Sequence, residues 1–227
     1  MLLSCSTADK YELFNVETAD NFEFLDFEQI NDIKTFNEKF WYSDSLNDDF
    51  FFIAKFDFRK GDFSNNSDKG IKLEGLPFRC LEFDCNRGYV QKLYLGNNYE
   101  ALNDDMKLLD EQQIKELVKA NILNFGKEPS LSDEPKQAIF RLYLKPEQRL
   151  DKLGRLFKII TDGYTELIDS KRIETKMTTE ELIIEFPLRL QLRGGMIPRQ
   201  LPNLIDIPDN GQIEEELPID SIELNLK

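Results

Sequence analysis

Apolar and polar positions along the chain switch between a helical period and a strand period. Phe27, Ile30, Ile33, Phe36 and Phe40 recur at helical spacing, and Asp26 with Gln29 stands at the spacing of a capping box. This predicts a helix beginning at Asp26. Residues 50–58 open continuously apolar and end alternating, which predicts a strand with a buried start. Residues 61–70 are rich in Asn, Asp and Ser and read as a loop. Strands are expected near residues 79–83 and 89–95, around a turn at Asn86-Arg87-Gly88.

The second half is more regular. Asp110 with Gln113 repeats the capping-box spacing, and Ile114, Leu117, Val118 and Ile122 form one helical stripe that Gly126 ends. Residues 138–144 read as a strand. Pro146 then suits a helix start, where a missing N–H is tolerated. Leu150, Leu153, Phe157, Ile160, Tyr164 and Leu167 form a heptad-like seam, widened by Leu156, Ile159 and Ile168. The seam reads as a core face; the alternative is an interaction helix that joins two copies of the chain. Gly154 and Gly163 lie inside it, at ~1 kcal/mol each against Ala. Thr178 with Glu181 marks a shorter helix limited by Pro187, and residues 188–193 alternate strictly, as a half-buried edge strand would. Pro198, Pro202, Pro208 and Pro218, with Glu214, Glu215 and Glu216, mark an extended acidic tail. Within that tail, Ile219, Ile222, Leu224 and Leu226 suit a last strand or strand addition to a partner.

The expected fold class is α+β: a two-layer mixed sheet with helices packed on one face. The expected organisation is a tether over residues 1–21, an α+β region over 22–87, a second α+β domain over 88–193 and the tail over 194–227.

Composition narrows the function more than the fold. The 227 residues are 41% apolar and 32% charged, enough for a core, and 18 Phe against one Trp make that core Phe-rich. The net charge of −14 argues against nucleic acid, which needs a basic face. No His occurs, which removes Ser-His and Cys-His mechanisms and His metal ligands. Loops starting at Asp62 and Asp206 begin like calcium loops. The first fails at Ser67 and Leu73, the second at Pro208 and Leu217. No nucleophile elbow, phosphate loop or dinucleotide fingerprint is present. A non-enzymatic protein is expected, with no catalytic residue, metal or cofactor. Arg189, Arg193 and Arg199 form a basic island that either balances nearby carboxylates or contacts an anionic polymer.

No apolar run reaches the ~20 residues of a membrane span. Met1-Leu2-Leu3-Ser4-Cys5-Ser6 resembles a bacterial lipobox, which makes Cys5 a candidate lipidation site and a periplasmic, lipid-anchored location the expectation. The alternatives are an ordinary chain terminus and a cytoplasmic location. Cys80 and Cys85 are either free half-buried thiols or a disulfide, which needs a bend near Asp84 and Asn86.

Residues 88–193 resemble the periplasmic domain of the ExbD/TolR family. The matching pieces, in order, are Gln113–Lys119, Asp133–Leu142, Leu150–Asp169 with its closing Gly163-Tyr164-Thr165-Glu166-Leu167, and Glu185-Phe186-Pro187-Leu188-Arg189-Leu190. The family's N-terminal membrane helix and its proton-coupled membrane Asp have no counterpart here. The resemblance therefore implies only the periplasmic, binding half of such a system. Its partners would be envelope proteins of an energy-transducing or wall-linking transport complex, with a homodimer through the long helix as a further option. A membrane contact would run only through a lipid on Cys5. A different class of function, an acidic cytoplasmic inhibitor of immunity type steered toward a basic partner by charge, is the alternative.

Overall fold

The structure, a computed structural model, describes residues 11–16, 22–27, 30–36, 51–74 and 90–194. All of them belong to the first of two compact units, Met1–Ile197; the second is Pro198–Lys227. The strands, in chain order, are β1 (Phe22–Leu25), β2 (Phe51–Asp57), β3 (Asp62–Phe63), β4 (Gly70–Glu74), β5 (Val90–Leu95), β6 (Ala101–Leu102), β7 (Ile139–Leu144) and β8 (Arg189–Gly194). The helices are α1 (Glu111–Ile122), α2 (Gly154–Thr175) and α3 (Thr179–Glu185). One mixed sheet carries the order β1-β2-β4-β8-β7-β5-β6, with β3 paired to β2. This is the expected α+β class.

Both helical crossovers, β5 to β7 through α1 and β7 to β8 through α2 and α3, join parallel neighbours. Right-handed crossovers that step in the same direction place their helices on the same face. That face carries Leu93, Leu95, Phe140, Leu142, Leu144, Leu190 and Leu192, which join Ile114, Val118, Phe157 and Ile160 in one core. The alternate residues of the same strands point the other way. Among them Tyr94 and Ile139, and Ile53 on β2, are buried but stand outside that core cluster.

The capping boxes of the second half hold in full. Asp110 accepts from the Gln113 N–H at 2.8 Å while Gln113 accepts from the Asp110 N–H at 2.9 Å. Thr178 and Glu181 make the same reciprocal pair at the start of α3. Gly126 takes a φ of 75°, the left-handed backbone that suits glycine after a helix.

Several expectations are corrected. The first helix does not begin at Asp26: residues 33–36 are helical, and the Asp32 carboxylate accepts from the Thr35 N–H at 2.7 Å. Asp26 instead closes a turn, its carbonyl accepting from the Ile30 N–H. Phe27, Ile30, Ile33 and Phe36 are buried, so the apolar period marked the inward side while the start was misplaced. Strands β1 and β3 fall where a tether boundary and a loop were expected. Part of the expected tether is packed: Phe14 is buried in a 3₁₀ turn, Glu12–Phe14, and Tyr11 stacks on Phe58 with ring centroids 4.7 Å apart. The long helix starts later than Pro146, after a 3₁₀ turn over Leu150–Leu153. Strand β8 is central rather than an edge, lying between β4 and β7. The division at residue 87/88 does not separate two sheets: Leu73 pairs with Leu190, and one core spans both halves. Cys5, Cys80, Cys85, the strand near 79–83 and the tail beyond Gly194 lie outside the described residues.

Candidate functional site

The sheet is fully zipped on one side of β8 and barely paired on the other. β7 and β8 share six rungs, from Ile139↔Arg189 to Leu144↔Gly194. β4 and β8 share only Leu73↔Leu190 and Glu74↔Gln191. Gly70 and Ile71 therefore pair with β2 on one side and, among the described strands, with none on the other. Just upstream, the Val16 N–H donates to the Asp68 carbonyl at 3.1 Å and Asn15 bridges Lys69, so an extended segment already lies along the same edge.

A cavity of about 450 Å³ fills this opening. Leu13, Val16, Ile53, Ile183, Pro187 and Leu188 supply apolar walls, and Lys72, Glu74 and Arg189 add charge. Arg189 grips Glu74 through Nε and Nη2 at 2.7 and 2.9 Å and donates from Nη1 to the Lys136 carbonyl, which fixes both side chains beside the cavity. Ile184, also a lining residue, is 68% exposed. A Cβ at Gly70 would lie 2.4 Å from Ile53 Cγ2, so β4 can pass this close to β2's side chain only as glycine. Tyr164 reaches the deep side. Its hydroxyl donates to the Phe186 carbonyl at 2.9 Å, and burial pushes it well above the usual tyrosine range.

A second constellation lies on the sheet face away from the core. Register puts Lys92 beside Arg141, Arg141 beside Gln191, Tyr94 beside Tyr143 and Tyr143 beside Arg193. The Tyr94 and Tyr143 rings stack at 5.0 Å, and the Arg193 guanidinium sits 5.9 Å from the centre of the Tyr143 ring. Burial, then the charge and hydrogen bond of Asp104, push Tyr94 up to about 12. It stays a neutral phenol at physiological pH.

The six residues of the expected interaction helix are brought together, but inside the fold. Leu150, Leu153, Phe157, Ile160, Tyr164 and Leu167 are all buried in the core. The seam is thus consumed within one chain, because α2 crosses the sheet with that face inward. Of the basic island, Arg189 balances a carboxylate, Arg193 lies against an aromatic ring, and Arg199 is outside the described residues. The cavity residues were missed because they come from five separate stretches of chain. The cationic face had a legible signal: Lys92-Leu93-Tyr94-Leu95 and Arg141-Leu142-Tyr143-Leu144 are the same basic-apolar-Tyr-apolar pattern, on strands that pair in register.

Among the described residues, no group of three or more Cys, Asp or Glu is arranged to hold a metal, and no helix is long and apolar enough to cross a membrane. Comparison with family models, with curated proteins and with solved structures finds no match.

Proposed function

We propose that the chain is a non-enzymatic binding module of the cell envelope, similar to the periplasmic domain of the ExbD/TolR family, and that it takes an extended segment of an envelope partner beside β4. The edge at Gly70 and Ile71, open among the described strands and set over an apolar cavity, is the observation that carries this reading. An incoming strand gains main-chain hydrogen bonds from such an edge and places alternate side chains in the pocket, which supplies affinity and selectivity together. The pieces that resemble the family support it from a second direction. They fall on α1, on β7 and its preceding turn, on α2, and on the approach to β8. The location that goes with this reading is periplasmic, with a lipid on Cys5 as the anchor.

The test joins fractionation to site-specific cross-linking in cells. A photo-reactive residue at Ile184, exposed beside the cavity, should give a discrete adduct with an envelope protein, and the chain should partition with the envelope. Val16→Arg, which places a charge in the apolar wall, should abolish that adduct. A chain found in the soluble cytoplasmic fraction, with no adduct from position 184, overturns the reading.

A further inference from the structure

Among the described residues, Arg141 is the one arginine set in the middle of a buried strand, and it is only 4% exposed. Its Nε and Nη2 both donate to the same oxygen, Gln191 Oε1, at 3.0 and 2.8 Å. Gln191 is 3% exposed and neutral. A guanidinium carries five N–H donors, so two bonds to one amide oxygen leave most of its capacity and all of its charge unanswered. Buried cations are ordinarily paired with an anion, because desolvation is costly without one. No ion pair to Arg141, Lys92 or Arg193 occurs among the described residues. Lys92 and Arg193 are half-exposed and flank Arg141 on the neighbouring strands. In a chain of net charge −14, three neighbouring cations without an ion pair run against the background, and the carboxylates at the margin of the cluster are engaged elsewhere, Glu74 by Arg189 and Asp104 by Tyr94.

We infer that this face is a binding site for the carboxylate side chains of an acidic peptide segment, with Arg141 as the central contact and Lys92 and Arg193 as flanking ones. The shape fits. Gln191 occupies one edge of the guanidinium and orients it, leaving the other edge as a fork for a planar carboxylate. The half-buried Tyr143 ring, stacked on the buried Tyr94, offers a flat surface beside it for the peptide's aliphatic carbons. None of these residues lines the cavity.

The probe is a polyglutamate peptide, titrated calorimetrically into the full chain at about 0.15 M salt. There the Debye length of ~8 Å screens repulsion by the protein's distant negative charge while a contact pair survives. Saturable binding is expected, weakened at least ten-fold by Arg141→Met and by the double variant Lys92→Gln/Arg193→Gln. The free Arg141→Met protein should melt no lower than wild type, since it loses an unpaired buried charge. A purely structural arginine predicts the opposite, a lower melting temperature. If Arg141→Met does not fold, the double variant, altered only at half-exposed positions, carries the test. Absence of saturable binding by wild type overturns the inference. So does polyglutamate binding that the double variant leaves unchanged. Inorganic phosphate that binds at Arg141 and is not displaced by polyglutamate also overturns it, in favour of a small-anion site.

Discussion

Phe157 shows how one residue ties the molecule together. It has no exposed surface, and the Phe63 ring meets it edge-on with centroids 5.6 Å apart. Phe157→Ala should lower stability by about 3–5 kcal/mol, read as a shift of the urea midpoint. Arg155→Ala is the surface control, expected to change stability by ~0.5 kcal/mol or less, because its pair with Glu111 is widely exposed. Helical spacing alone classes Lys158 with Arg155. The structure separates them: Lys158 donates to the Tyr11 hydroxyl at 3.1 Å and to Asp162 at 2.9 Å, so it latches the N-terminal segment to α2. A second residue sets a pH dependence. Hydrogen bonds from Lys115, then Lys119, outweigh burial and hold the Glu166 carboxyl below its ordinary 4.5. A carboxyl lowered in the folded state contributes stability above its unfolded value and loses it as pH falls through the folded one. With the side chain more than a third exposed, screening keeps the effect to ~1 kcal/mol or less. Melting temperatures of wild type and Glu166→Gln should differ by a constant amount from neutral pH down to 4.5 and converge below it. Two curves that stay parallel into acid would show that the pair does not couple to folding.

At the scale of elements, the glycines of α2 reverse the expectation from helix propensity. Alanine should favour an isolated helix by about 1 kcal/mol over glycine. In the fold, a Cβ on Gly163 would stand 2.9 Å from the Lys115 Cα, where α1 crosses α2. A Cβ on Gly154 would stand 2.4 Å from the Gly61 carbonyl oxygen. Both are backbone contacts that cannot swing aside. Gly163→Ala should therefore destabilise by about 1–3 kcal/mol in urea melts, the range of overpacking. A stabilised Gly163→Ala protein would mean that α1 and α2 stand further apart. Strand β8 carries a related lesson. Its strict alternation suggested a water-facing side, yet Gln191 is buried there under the Arg141 guanidinium and Arg189 is pinned by Glu74. Polar residues that answer one another across strands look, in one dimension, like polar residues that face solvent.

Across the whole molecule, β4 and β8 join two stretches of sequence that read as separate regions. Phe52, Ile71 and Leu73 from the first stretch and Leu142, Leu190 and Phe157 from the second belong to one core. They should unfold in one transition. Leu73→Ala and Leu142→Ala, placed in opposite halves, should each lower the same single midpoint by about 2–5 kcal/mol. Far-ultraviolet dichroism and amide hydrogen exchange should follow that midpoint together. Two separate transitions, with Leu73→Ala moving only one, would restore the boundary near residue 87.

Periodicity and capping chemistry are local, and by themselves they determined α1, the body of α2, α3, β2, β5, β7 and β8, as well as the residues that face the core. A capping box closes within four residues, and an amphipathic stripe carries its own orientation, so neither needs the rest of the chain. Only tertiary structure decided the order of strands, the central place of β8, the inward turn of the long seam and the role of Gly163, because each depends on what lies opposite. The open edge of β4 and the unanswered charge on Arg141 belong to the same class. The first exists because β4 and β8 meet at only two rungs. The second exists because two strands with one repeated pattern pair in register beside a glutamine from a third. Pairing partners distant in sequence leave no mark on local spacing, so both of these features are written in the contacts between strands.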